Sequence, residues 1–123
     1  MLPQVTNLFQ TKSAEAIGER VTRLLDLPGF RLEQIVSHGE ASADGFWYDQ
    51  PDAEWVLLLR GKATLSFAGE KPLKLAAGDI LLIPAHSRHR VDSCSQDALW
   101  LALHFPAGES CGPVPAPGAT QSF

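Results

Sequence analysis

The chain has 123 residues, of which 45% are hydrophobic and 20% charged, and its 10 Lys and Arg against 14 Asp and Glu predict one mildly acidic globular domain. This balance, without a run of Lys or Arg, argues against a surface that binds the phosphates of nucleic acids. The longest apolar stretches, 55–59 and 80–83, fall far short of the roughly 20 residues that cross a bilayer, so we expect no membrane partner.

The N-terminal part of the chain carries weak structural signals. Residues 1–18 are predicted to form an arm, in which Ser13 is a candidate start for a short helix. The first residues lack the basic start and apolar core of a signal peptide, which predicts a cytoplasmic protein. Cys94 and Cys111 have neither metal-binding nor redox spacing, so both are predicted to be free thiols.

The predicted barrel comprises residues 19–105, and a hairpin is expected at its start. The segment 19–25 fits both a helical face and a strand, and the strand is favoured because a turn signal follows it. That signal is Leu-Pro-Gly at 27–29, in which proline fixes one φ and glycine permits a positive one. Alternation over 30–37 then predicts a second strand that pairs with the first.

The rest of the barrel is predicted as short strands separated by Gly and Pro. The apolar runs 55–60 and 80–83 have the length of buried strands, and 63–67 alternates between apolar and polar residues. No helical segment competes, which predicts an all-β antiparallel sandwich or barrel with seven or eight strands. Residues 106–123 contain four prolines and three glycines and are predicted to form a flexible tail.

Polar residues crowd the entry to the strand that begins at Trp55. They are Tyr48, Asp49, Gln50, Asp52 and Glu54. A polar group that faces a barrel interior costs roughly 1–3 kcal/mol unless it is hydrogen-bonded or bound to something. Two histidines, His86 and His89, follow Pro84, and metal sites are commonly built from imidazoles and carboxylates on neighbouring strands. The sequence therefore predicts a functional site from these residues.

The segment 78–89 carries the strongest motif in the chain. It has a glycine, a proline six positions later and a histidine five positions further. This spacing resembles the second motif of the cupin family, which implies a double-stranded β-helix, or jelly-roll barrel, and the resemblance extends over 45–105. His89 stands in the place of that motif's metal ligand, and His86 stands in the place of its usual glycine.

The first cupin motif is matched only at its end. Glu54 reproduces its glutamate at the expected distance before a glycine, but the two histidines that precede the glutamate in the family are absent. The family's shorter spacing puts Tyr48 and Gln50 at those positions, and its longer spacing puts Trp47 and Asp49 there.

The resemblance implies a divalent metal ion, such as Mn, Fe, Zn or Ni, and a small polar ligand in the barrel mouth. The implied metal ligands are His89, Glu54, Gln50 and Tyr48, with His86 as a further candidate. The predicted substrate pocket contains Trp47, Arg88 and His104. His104 also fits an ordinary hydrogen-bonded barrel histidine, and no catalytic residue is assigned.

Two functional hypotheses from different classes follow from the resemblance. The chain is either a metal-dependent enzyme, such as an oxygenase, isomerase or lyase, or a metal-free ligand-binding or sensory cupin that lost its ion with the first-motif histidines. A scaffold with a filled barrel is a third reading. Exposed sheet edges predict a homodimer.

Overall fold

The computed structural model describes residues 1–10 and 18–107. The helix start predicted at Ser13, Cys111 and nearly all of the predicted tail lie outside the described residues. Cys94 is a free thiol within them. No helix in the described ranges is long and apolar enough to cross a membrane.

Eight strands form an all-β fold, which confirms the predicted fold class. They are β1 (Arg20–Leu27), β2 (Phe30–Val36), β3 (Asp52–Arg60), β4 (Lys62–Phe67), β5 (Leu73–Ala76), β6 (Ile80–Ile83), β7 (His89–Cys94) and β8 (Leu99–Pro106). All strand pairs are antiparallel. One sheet has the order β1-β2-β8-β3-β6, and the other has the order β5-β4-β7.

The first two strands form the predicted hairpin. β1 and β2 pair down to Leu27 opposite Phe30, next to Gly29 with a φ of 97°. Glycine adopts a positive φ at little cost because it has no Cβ. The Pro-Gly turn therefore helps to set the register of β2, which contributes charged residues to the site.

The hydrophobic core lies between the two sheets. Val56 and Leu58 of β3 pack in one cluster with Ala63 and Leu65 of β4 and with Trp100 of β8. Full burial of a large apolar side chain stabilises the fold by about 1.5–3 kcal/mol. This cluster holds the sheets together and forms part of the wall of the cavity between them.

The apolar run 80–83 is not buried throughout, and the sequence-based prediction was wrong here. Ile80 is 49% exposed, whereas Ile83 at the other end of β6 is buried. β6 is the last strand of the five-stranded sheet and pairs with β3. An antiparallel sheet buries one face and leaves the other in water, so an apolar run at its edge is only partly covered.

Gly61 connects β3 to β4 in the left-handed conformation, with a φ of 91°. A Cβ at this position would collide with the Ser95 side chain and would lie 3.0 Å from atoms of Asp97 and Ala98. Both the backbone angle and the lack of space therefore require glycine. The glycine that follows Glu54 in the motif is explained by this turn rather than by the site's chemistry.

Candidate functional site

A cavity of about 320 Å³ lies between the two sheets, within the size range of small-molecule sites. The charged residues of its lining are Glu19, Arg31, Glu33 and Glu54. The other polar residues of its lining include Tyr48, Gln50, His89 and His104. The apolar lining includes Ile35, Val56, Leu65, Ile83, Val91 and Trp100. Polar groups from both cupin motifs therefore share one cavity.

His89 is held firmly at the start of β7. Its Nδ1 lies 2.8 Å from the carbonyl oxygen of Ser87, and that contact requires the proton on Nδ1. Its ring stacks against Tyr48 at 5.3 Å and against Phe67 at 5.7 Å between centroids. Nε2 is therefore the ring nitrogen that remains to contact a cavity ligand.

The segment before β3 is pinned to the segment before β7 by backbone hydrogen bonds. The amide of Tyr48 donates to the carbonyl of His89 at 2.7 Å, and the amide of His89 donates back at 3.1 Å. The amide of His86 donates to the carbonyl of Gln50 at 2.7 Å. These bonds bring Tyr48 and Gln50, which replace the first-motif histidines, to the same cavity as His89.

A row of paired positions crosses the five-stranded sheet at the cavity. Arg31 of β2 is opposite His104 of β8, His104 is opposite Glu54 of β3, and Glu54 is opposite Ile83 of β6. Side chains directly opposite each other in antiparallel strands project to the same face, with Cβ atoms roughly 4.5–5.5 Å apart. The register thus places three titratable groups from three strands side by side.

Glu33 holds the imidazole and the guanidinium of this row. Its Oε1 lies 3.0 Å from Nε2 of His104, and its Oε2 lies 3.2 Å from Nε of Arg31. The Glu54 carboxyl approaches the same His104 nitrogen only at 3.9 Å, beyond hydrogen-bonding distance. Glu54 is nevertheless buried, so its carboxyl is placed to interact with a cavity ligand.

Burial shifts the proton affinities of this cluster. The pKa of Glu54 is raised from 4.5 to about 7, first by desolvation and then by the negative charge of Glu33, while Arg31 opposes both. Burial also lowers the pKa of His104, an effect that Arg31 strengthens and Glu33 opposes. His104 is therefore neutral at neutral pH, where Glu54 is divided between its acid and carboxylate forms.

Three predicted site residues, Trp47, His86 and Arg88, are not among the residues that line this cavity. The guanidinium of Arg88 lies over the Trp47 ring, 5.6 Å from its centroid, at a cation–π distance. Successive side chains of an extended segment point to opposite faces. Because Tyr48 and His89 line the cavity, their neighbours Trp47 and Arg88 point away from it.

His86→Gly is expected to leave the free energy of unfolding within about 1 kcal/mol of the natural protein. His86 has a φ of 60°, a strained value for a side-chain-bearing residue, and glycine relieves that strain. The substitution also removes the contact of His86 Nδ1 with Asp49 Oδ1 at 2.8 Å, between side chains that are 69% and 51% exposed. Urea denaturation measures the change, and a loss beyond about 2 kcal/mol would mean that His86 has a structural role.

Sequence reasoning missed Arg31 and Glu33. Their signal was present, because alternation over 30–37 places both on one face of a strand together with Ile35. Only the pairing of β2 with β8 fixes that face as the inward one. The pairing joins residues that are far apart in the chain, so local patterns did not reveal it.

The donor set allows a test of whether a divalent ion fits the cavity. His89 offers Nε2, and Tyr48, Gln50 and Glu54 offer oxygen atoms in the same cavity. However, the described residues contain no group of three or more His, Cys, Asp or Glu side chains that could hold a metal ion. Protein sites for Zn or Fe usually supply three or more such donors. The described residues thus do not fit the metal centre that the resemblance implies.

Solved structures that resemble this chain include a neighbour with substantial sequence identity. It is a protein from Ralstonia eutropha JMP134 described as a candidate mannose-6-phosphate isomerase, with 40% identity and a TM-score of 0.81 over 85% of this chain and 100% of that chain. A comparison with curated proteins found no match.

More distant structures share the fold alone. KdgF from a Halomonas species is 17% identical, with a TM-score of 0.63 over 79% of this chain and 88% of that chain. An RmlC-like cupin family protein with a double-stranded β-helix fold, from Methanocaldococcus jannaschii, is 18% identical, with a TM-score of 0.65 over 86% of this chain and 93% of that chain. The Cupin domain family model matches residues 33–109, more than half of the chain, and the protein therefore belongs to the cupin family.

Proposed function

We propose that this cupin binds a small polar molecule in the cavity between its sheets and that Glu54 exchanges a proton with that molecule. The observation that carries the proposal is a buried carboxyl at the cavity that stays 3.9 Å from the nearest His104 nitrogen. Because the described residues give this carboxyl no closer ion-pair partner, it is available to accept or donate a proton at a bound ligand.

The surrounding residues support this role of Glu54. Glu33 holds His104 in place at 3.0 Å, so the imidazole presents a fixed dipole beside Glu54. The apolar part of the lining limits water around the carboxyl, and in such surroundings electrostatic interactions are stronger than in bulk water. Tyr48, Gln50 and His89 offer hydrogen bonds that would orient the polar groups of a ligand.

Proton transfer next to a carbonyl group is the reaction that this arrangement supports best. The Glu54 carboxylate would accept a proton from the carbon beside the carbonyl, and the resulting carboxylic acid would return a proton to the neighbouring carbon or oxygen atom. A positioned general acid–base group contributes roughly 10²–10⁴-fold to such a step. The name of the Ralstonia protein, an isomerase, agrees with this class of reaction.

The test is solvent-proton exchange in heavy water. Aldoses, ketoses and their amino analogues are incubated with the protein, and NMR follows the deuterium that enters the position beside the carbonyl. We expect exchange with the natural protein, a loss of about 10²-fold or more in Glu54→Gln and no loss in Glu70→Gln, a matched change on an exposed turn. Equal exchange rates in both variants, or no exchange with any compound, would overturn the proposal.

A divalent ion is the alternative occupant that family membership suggests, although only the orientation of His89 agrees with it. Metal-binding imidazoles commonly donate their other nitrogen to a carbonyl, as His89 Nδ1 does to Ser87. We expect little bound metal in protein purified without a tag or chelator and no change in melting temperature after EDTA treatment. Near-stoichiometric metal that is lost in His89→Ala but kept in His86→Ala would favour the metal-dependent alternative.

A further inference from the structure

The charges that line the cavity are mostly negative. Glu19, Glu33 and Glu54 contribute three carboxyl groups, and Arg31 contributes a guanidinium. The Arg31 guanidinium forms an ion pair with Glu33, with 3.2 Å between its Nε and Glu33 Oε2, although that N–H has no hydrogen-bond partner among the described residues. Among the described lining residues, carboxylate therefore exceeds unpaired positive charge.

Three other arginines are engaged outside the cavity. The guanidinium of Arg88 lies over an indole ring, Arg90 Nε lies 3.1 Å from Asp92 Oδ1, and Arg60 Nε donates to the carbonyl of Asp97 at 2.9 Å. None of the three is among the described residues that line the cavity. A phosphate or carboxylate ligand would need an unpaired cation or a cluster of free N–H groups. The described lining offers one cation, Arg31, and its guanidinium lies beside the Glu33 carboxylate.

The neutral lining also suits a cation. The rings of Tyr48 and Trp100 line the cavity, and the face of such a ring attracts an ammonium group. The aliphatic side chains of the lining would cover a compact apolar body. A molecule with an apolar or ring-shaped body and a charged amino group therefore matches both parts of the cavity.

We infer that the cavity selects small molecules whose polar end is an amine or a similar cation and rejects phosphate esters and carboxylates. The inference rests on the proposed function for the location of the ligand. An ammonium beside Glu54 gains a charge-assisted hydrogen bond, whereas a phosphate there meets more carboxyl groups than cations, because the guanidinium of the described lining is already ion-paired with Glu33. This cavity thus fits a different ligand from the sugar phosphate in the name of the Ralstonia protein.

Two matched ligand series test the inference by isothermal titration calorimetry. One is mannosamine, mannose and mannose 6-phosphate, and the other is cyclohexylmethylamine, cyclohexylmethanol and cyclohexanecarboxylate. We expect the amine to bind at least about tenfold more tightly than the neutral compound in one series or both, and the anions to show no binding. Glu33→Gln and Glu19→Gln should each reduce the preference for the amine, whereas the exposed control Glu70→Gln should leave it unchanged.

The outcomes separate this inference from the proposed function. Binding of an anion as tight as that of the amine, equal affinities for the amine and the neutral compound, or no binding in either series would overturn the charge selection. An amine preference without any effect of Glu54→Gln on proton exchange would overturn the proposed function and leave the charge selection standing. If Glu33→Gln does not fold, Glu19→Gln and the comparison of ligands in the natural protein still test the charge selection.

Discussion

Glu54→Gln is expected to raise the melting temperature of the protein above neutral pH and to leave it nearly unchanged near pH 4.5. Burial raises the pKa of Glu54 from 4.5 to about 7, so between these values the unfolded chain has lost a proton that the folded chain still holds. Stability therefore falls as the pH rises through this window. Above it the ionised carboxyl costs the folded state up to ~3 kcal/mol, a cost that a neutral glutamine does not carry.

Thermal unfolding followed by circular dichroism, from about pH 4.5 to about pH 8.5, measures this difference. Glu70→Gln removes a carboxyl from an exposed turn and serves as the control for the change in net charge. A Glu54→Gln variant that is less stable than the natural protein at high pH would contradict the assignment, because it would mean that the carboxylate is well compensated. Functional sites commonly contain a reactive group that lowers the stability of the folded protein.

The fold was predictable because its signals are local. The Pro-Gly turn at 27–29 sets the hairpin, and the alternation over 63–67 identifies β4 and its inward face. Whether a segment forms a strand depends mainly on residues that are neighbours in the chain. The prediction was wrong at Ile80, because edge position in a sheet depends on which strands pair, and a short apolar run does not contain that information.

The candidate site was only partly predictable for the same reason. Motif spacing picked out Glu54 and His89, and the cavity contains both. Arg31 joins them through β8, which lies between β2 and β3 in the sheet but follows both in the chain. The exposed position of His86 follows from its left-handed backbone, which no periodic pattern reveals. Which of these residues act on a ligand stays a prediction.

His104→Ala is expected to lower the free energy of unfolding by about 1–3 kcal/mol and to slow the proton exchange attributed to Glu54. The substitution removes the imidazole that lies 3.0 Å from Glu33 Oε1, so a partly buried carboxylate loses a hydrogen-bond donor. Glu33 then keeps only its ion pair with Arg31, so the position of its charge relative to Glu54 changes. His104 acts in this scheme as a positioning residue.

His104→Gln distinguishes positioning from simple packing, because a glutamine amide can donate from nearly the place of the imidazole Nε2. We expect Gln to restore much of the stability and of the exchange rate that Ala loses, with the pH midpoint of exchange returning toward that of the natural protein. The double variant Glu33→Gln with His104→Ala should lose less than the sum of the single losses, since both remove one contact. Additive losses, or equal damage from Ala and Gln, would show that the contact between Glu33 and His104 does not organise the site.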